Sequence, residues 1–108
     1  LVVKHRAAGG VHAPHNNTIK SGRSIATGHL HSQKISPFSD YNGTRYGVDC
    51  GMLGEPWGQQ FEYLEDNVRD WRAGFGVFTF VNGTLLPPEL VSVMEPGVVW
   101  FRGELLTV

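Results

Sequence analysis

Fourteen glycines and six prolines punctuate this 108-residue chain. That spacing limits its fold more than any other feature. Glycine loses the most backbone freedom on ordering, and proline removes a donor and fixes φ, so long helices are disfavoured and short strands joined by turns are expected. The length is that of one domain with a modest core. Two Asn-Gly pairs, Asn42-Gly43 and Asn82-Gly83, are strong hairpin signals. With Asn16-Asn17-Thr18 they also match the glycosylation acceptor pattern. For the two Asn-Gly pairs, turn chemistry is the better account.

Read along the chain, residues 1–4 form a short apolar strand running into His5. Residues 7–10 make a turn, and 13–20 are the best candidate for a helix. Residues 24–27 form a second short strand, which delivers the run Gly28-His29-Leu30-His31. Residues 36–40 read as loop, with a strand over 44–50 after the first hairpin turn. The stretch 51–72 lacks sustained periodicity and carries an acidic patch (Glu62, Glu65, Asp66), which predicts a long irregular loop with one helical turn. From Gly74 the pattern is β: strands over 76–81, 90–94, 98–102 and 103–108, with returns at Asn82-Gly83 and Glu95-Pro96-Gly97. The expected class is α/β, mostly β-strands with one or two short helices.

Bulk charge excludes some functions. The formal net charge is −1 and the pI about 6.6, so the overall balance supplies no basic field for nucleic acid. No stretch approaches the ~20 apolar residues that span a bilayer. Cys50 is the single cysteine, which rules out an intrachain disulfide. With no secretory pattern, a cytoplasmic setting is expected. Cys50 has no downstream histidine, so it reads as a small buried residue.

All five histidines, His5, His12, His15, His29 and His31, fall within the first 31 residues. Histidine is the commonest metal ligand and the commonest acid–base side chain near neutral pH. Residues i and i+2 of a strand share a face, so His29 and His31 would present both rings together if the strand persisted through them. His5 follows an apolar strand of its own. Ligands gather outside the carboxyl ends of strands in α/β sheets, so two neighbouring strands ending at His5 and at His29/His31 would collect three imidazoles. The zincin pattern His-Glu-x-x-His is absent, as are a Walker loop, a cysteine pair for structural zinc and the downstream Glu of a cupin-like site.

Gly28-His29-Leu30-His31 after a short strand, with a lone histidine ending an upstream strand, resembles the last two signatures of the calcineurin-like metallophosphoesterases. Residues 46–51 (YGVDCG), 71–76 (WRAGFG) and the turn at 81–83 resemble the C-terminal part of the phage and bacterial branch of that superfamily. The resemblance implies part of an α/β sandwich and a site of two divalent ions (Mn, Fe, Zn or Ni). Such ions, about 3.5–4 Å apart, clamp a phosphate ester and activate water for in-line attack. By the same resemblance His5 and His29 bind one ion and His31 the other, with His29 and His31 the catalytic histidines. Mixed imidazole and carboxylate ligands favour such metals over calcium.

The family also carries Asp-x-His, Gly-Asp and Gly-Asn-His-Asp/Glu signatures upstream, and no acidic residue precedes Asp40 here. The chain therefore reads as a single domain, 1–108, forming the C-terminal half of a metallophosphoesterase whose ligand set is incomplete. It would bind one ion or none on its own, and would pair with a missing N-terminal half or form a homo-oligomer. Arg6 either meets a substrate phosphate or is a solvated arginine. His12 and His15 either contact substrate or are exposed loop histidines. Asp49 either orients a ligand histidine or is an ordinary strand-end carboxylate. Trp57, Trp71 and Trp100 read as core or interface anchors. Two functions are thus in play: metal-dependent hydrolysis of phosphate mono- or diesters, or a non-catalytic β-rich binding or structural module.

Overall fold

A computed structural model describes residues 1–54 and 71–108. Trp57, the acidic patch and most of the irregular stretch expected over 51–72 lie outside the described residues. Among the described residues the fold is mostly β with one short helix. Those residues form two four-stranded sheets and a separate two-stranded hairpin.

The first sheet begins with β1 (Val2–Val3), crosses over through α1 (Ala13–Ser21), and returns in β2 (Ile25–Thr27). β1 and β2 are parallel, with Val2 opposite Ile25 and Val3 opposite Ala26. Parallel strands need such a crossover. The helix starts where Pro14 removes a backbone donor that the first turn leaves unpaired anyway. It stops where Gly22 adopts a left-handed φ of 64° and donates its N–H to the Thr18 carbonyl. Its inward face carries Ala13, Pro14, Asn17 and Thr18, all buried. The two polar members are satisfied locally. Thr18 donates to the His15 carbonyl at 2.7 Å, and the Ala8 N–H donates to Asn17 Oδ1 at 2.9 Å. The helix sits so close to the sheet that a side chain at Gly47 would meet the Pro14 carbonyl.

The segment expected as loop over 36–40 is instead part of β3 (Gln33–Asp40), which pairs along its length with β4 (Gly43–Cys50). Pro37 made the stretch look broken. Here β3 is the last strand of its sheet, and an edge strand tolerates a proline because one side needs no ladder donor. The turn is the predicted one, displaced by a residue: Gly43 is left-handed (φ 104°) and Asn42 is not. The Asn42 N–H is held by the Asp40 side chain at 2.8 Å. β4 then runs parallel to β2, with Thr27 opposite Asp49.

The second sheet is antiparallel: β5 (Gly74–Val77), β8 (Glu89–Glu95), β9 (Val98–Phe101) and β10 (Glu104–Thr107). The single strand expected over 76–81 is two pieces, because pairing with β8 ends at Val77. Phe80–Val81 (β6) turns back through Asn82-Gly83 onto Thr84–Leu85 (β7). Both turn residues have positive φ, 49° and 80°, as a two-residue hairpin with a compatible twist requires. Residues 71–74 stitch the two sheets together. The Arg72 N–H donates to the His31 carbonyl at 2.7 Å, Met52 N–H to the Arg72 carbonyl, Gly74 N–H to the Met52 carbonyl, and Val93 N–H to the Ala73 carbonyl. Ala13, Ile25, Ala26, Val48, Met52, Ala73 and Val91 form the small core. Phe75, Met94, Trp100, Leu105 and Leu106 stay exposed on the second sheet.

Candidate metal centre

Because β1, β2 and β4 run parallel, their carboxyl ends lie at one edge of the first sheet. That edge receives His5, the Gly28–His31 turn and Asp49-Cys50-Gly51. The Gly28 N–H reaches the His5 carbonyl at 3.4 Å, which ties the two histidine-bearing segments together. Nδ1 of His29 stands 3.2 Å from Nε2 of His5. Their rings meet edge to face with centroids 5.1 Å apart. In this arrangement one ring nitrogen carries the proton shared between them, and the tautomers decide which.

The same spacing suits a metal. Two imidazole nitrogens bound to one ion at about 2.0–2.1 Å stand roughly 2.9–3.4 Å apart in octahedral or tetrahedral arrangements. A tautomer shift that moves the shared proton to the donor ring's other nitrogen would leave both lone pairs pointing at the gap. The residues present therefore fit two positions of a divalent ion's coordination shell. The remaining positions are not filled from the described residues, among which no group of three or more His, Cys, Asp or Glu side chains is placed to hold an ion.

His31 departs from the same-face expectation. β2 ends at Thr27, so the alternation that would align His29 with His31 is lost. His31 takes a left-handed φ of 61°, a strained setting for a residue with a Cβ. Its ring packs edge to face on Trp71 at 4.8 Å, and its carbonyl accepts the Arg72 N–H. Trp71 thus packs on the far end of the Gly-His-x-His turn.

Asp49 supports that turn from below. It is wholly buried. Its Oδ2 accepts the Ser32 hydroxyl at 2.6 Å, and its Oδ1 accepts the Gly51 N–H at 3.4 Å. Burial pushes its carboxyl above the usual range, opposed by those two hydrogen bonds and by the charges of His31 and Lys34. Its contact is to Ser32, the residue after His31, so it positions the turn rather than a histidine ring. Next to it, burial and the Asp49 charge push the Cys50 thiol up, which suits a packing residue and not a nucleophile.

The other candidates are spread around the helix. Arg6 is exposed, one residue beyond His5. His12 lies at the helix N-cap with no side-chain cap, and its carbonyl accepts the Asn16 N–H. His15 packs its ring against Phe38 of β3 at 5.7 Å. The structure therefore brings His5 and His29 into contact, sets His31 beside Trp71, and leaves His12 at the N-cap of α1 and His15 in its first turn. Sequence reading gave no weight to Ser32, whose hydroxyl and neighbour fix the turn. The cue available was a hydroxyl residue directly after His-x-His.

Two curated phage proteins are similar to this chain, each called "Gene 54 protein". The one from Mycobacterium phage D29 is 30% identical over 82 residues, and the one from Mycobacterium phage L5 is 29% identical over 82 residues. Each alignment takes in 74% of this chain and 32% of the relative. The chain spans about a third of the length of the curated relatives it matches. No family model matches it, and no solved structure does.

Proposed function

We propose that the carboxyl edge of the first sheet is part of a divalent-metal phosphoesterase site, and that this chain carries its histidine-rich portion. The observation that carries the reading is the His5–His29 pair. Two imidazoles from separate strands face each other at a spacing that one ion satisfies. The resemblance of Gly28–His31 to a metallophosphoesterase signature supports it independently. So does the likeness to phage proteins more than twice as long, which leaves room for ligands from elsewhere in a whole protein.

In this reading His5 and His29 hold one ion among Mn, Fe, Zn or Ni, and His31 serves a second. When bound, such ions polarise the phosphoryl oxygen and activate water. The chain's own residues do the rest. Arg6, next to His5, meets phosphate oxygens with a charged fork. Trp71 and the Asp49–Ser32 hydrogen bond hold the Gly28–His31 turn in one shape, and a ligand held this way loses little entropy on binding. His12 and His15 lie on the helix side, where they contact substrate beyond the reacting phosphate.

A non-catalytic β-rich module is the second reading. It is favoured by the fact that His5 and His29 already satisfy one another by a hydrogen bond. Thermal unfolding with and without Mn²⁺, Zn²⁺ or Ni²⁺ separates the two. The metal reading predicts a rise in Tm that disappears in His5→Ala and His29→Ala. An unchanged Tm across all three metals would leave the module reading. No helix among the described residues is long and apolar enough to cross a membrane, and a cytoplasmic enzyme fits the proposal.

A further inference from the structure

The net charge of −1 conceals a sharp partition. Residues 1–39 contain Lys4, Arg6, Lys20, Arg23 and Lys34 and no acid. Residues 40–108 contain the other four basic residues and all ten acidic ones. Charge asymmetry of this kind points to a local anionic partner even when the whole chain is near neutral. The basic residues belong to the β1–α1–β2 unit and the start of β3.

That unit also has a cleft. It lies between α1 and β1, holds about 360 Å³, and is lined by Lys4 and Lys20, by Asn17 and Ser21, and by an apolar floor that includes Val2 and Ile25. The volume is at the lower end for small-ligand sites. Lys4 and Lys20 are both exposed, and neither has an acidic partner among the described residues. Asn17 is only 4% exposed. Its Oδ1 is occupied by the Ala8 N–H. Two exposed ammonium groups without acidic partners among the described residues therefore face one cleft. Phosphate oxygens supply acceptors and negative charge together.

We propose that this cleft binds backbone phosphates of a nucleic-acid strand, whose reacting phosphodiester lies at the adjacent His5–His29 edge. That the bound strand is the substrate rests on the metal reading above. Lys4 directly precedes His5, so cleft and histidine pair are neighbours on one strand end. Arg6 and Arg23, both exposed, belong to the same acid-free β1–α1–β2 unit. A single phosphate would not use charges spread so widely. A chain of phosphates would, and lysines act on it as point charges without reading sequence.

The test is fluorescence anisotropy with a fluorescein-labelled 12-nucleotide single-stranded DNA in EDTA, across 25–200 mM NaCl. The protein should bind, and log affinity should fall linearly with log salt. Each phosphate contact contributes a slope of about −0.7 on single strands. The Lys4→Ala/Lys20→Ala variant should therefore lose roughly 1.4 from the slope and about tenfold or more in affinity at low salt. Lys4→Arg/Lys20→Arg should restore both. A double-alanine variant that binds like the parent, or an affinity loss with no change in slope, overturns the proposal. Binding of inorganic polyphosphate without binding of the oligonucleotide overturns the nucleic-acid assignment. Metal binding is measured separately in each protein. Lysine-dependent binding of DNA by a chain that binds no metal sinks the phosphoesterase reading and leaves the cleft. Metal binding without DNA binding does the reverse.

Discussion

Nδ1 of His29 lies 3.2 Å from Nε2 of His5, although 24 residues separate them. A parallel β–α–β crossover brings the two strand ends side by side at one sheet edge. Both residues are exposed, so their mutual hydrogen bond contributes at most about 1 kcal/mol.

His5→Ala and His29→Ala should accordingly leave metal-free stability within about 1 kcal/mol of the parent by urea unfolding. With metal present at a hundredfold excess over its Kd, the parent should gain roughly 2.7 kcal/mol and each variant should lose that gain. A large loss of stability in EDTA would mean that the pair is structural.

Asp49 gives the pH dependence. Its folded pKa is raised by burial, so the folded state keeps a proton that the unfolded state has already released. Stability from this group is full below the unfolded pKa of about 3.9 and falls as pH rises through the folded value. Asp49→Asn keeps an acceptor for Ser32 and should flatten that fall, which unfolding curves from pH 3 to 7 will show. Asp49→Ala leaves the Ser32 hydroxyl without its partner and should cost about 1–3 kcal/mol at neutral pH.

Gln33 joins the two sheets. Its Nε2 donates to the Val91 carbonyl at 2.9 Å and to the Cys50 carbonyl at 3.3 Å, and its Oε1 accepts the Ser92 hydroxyl at 2.6 Å. Gln33→Leu should destabilise the protein by about 2 kcal/mol and speed amide exchange in β8 more than in β4. Equal protection in both strands would show that the amide is not the link.

At Gly47, an added methyl group collides with the Pro14 carbonyl and the Thr18 side chain. Gly47→Ala must push α1 off the sheet, so a loss of about 3 kcal/mol or more is expected. A neutral result by thermal unfolding would contradict the close helix–sheet approach.

Much of this edge was legible in the sequence. The apolar runs before His5 and before Gly28 marked two strand ends, Pro14 and Gly22 bounded the helix, and two Asn-Gly pairs marked hairpins. What was hidden depends on tertiary pairing. Pro37 masked β3, because whether a strand is at an edge is not a local property. The same-face reading of His29 and His31 failed because β2 stops at Thr27, and the contact of His31 with Trp71 spans 40 residues. Gln33 and Ser92 carry no motif, and their bond is visible only once both sheets are in place. The partition of charge was in the sequence throughout, but a cleft was needed to give it a location.

The central claim is that His5 and His29 share one ion. Crystals of this chain grown or soaked with Zn²⁺ should give an anomalous difference peak within about 2.0–2.3 Å of both His5 Nε2 and His29 Nδ1. No peak there at an occupancy that labels other sites, or a peak that persists in His29→Ala, would contradict it.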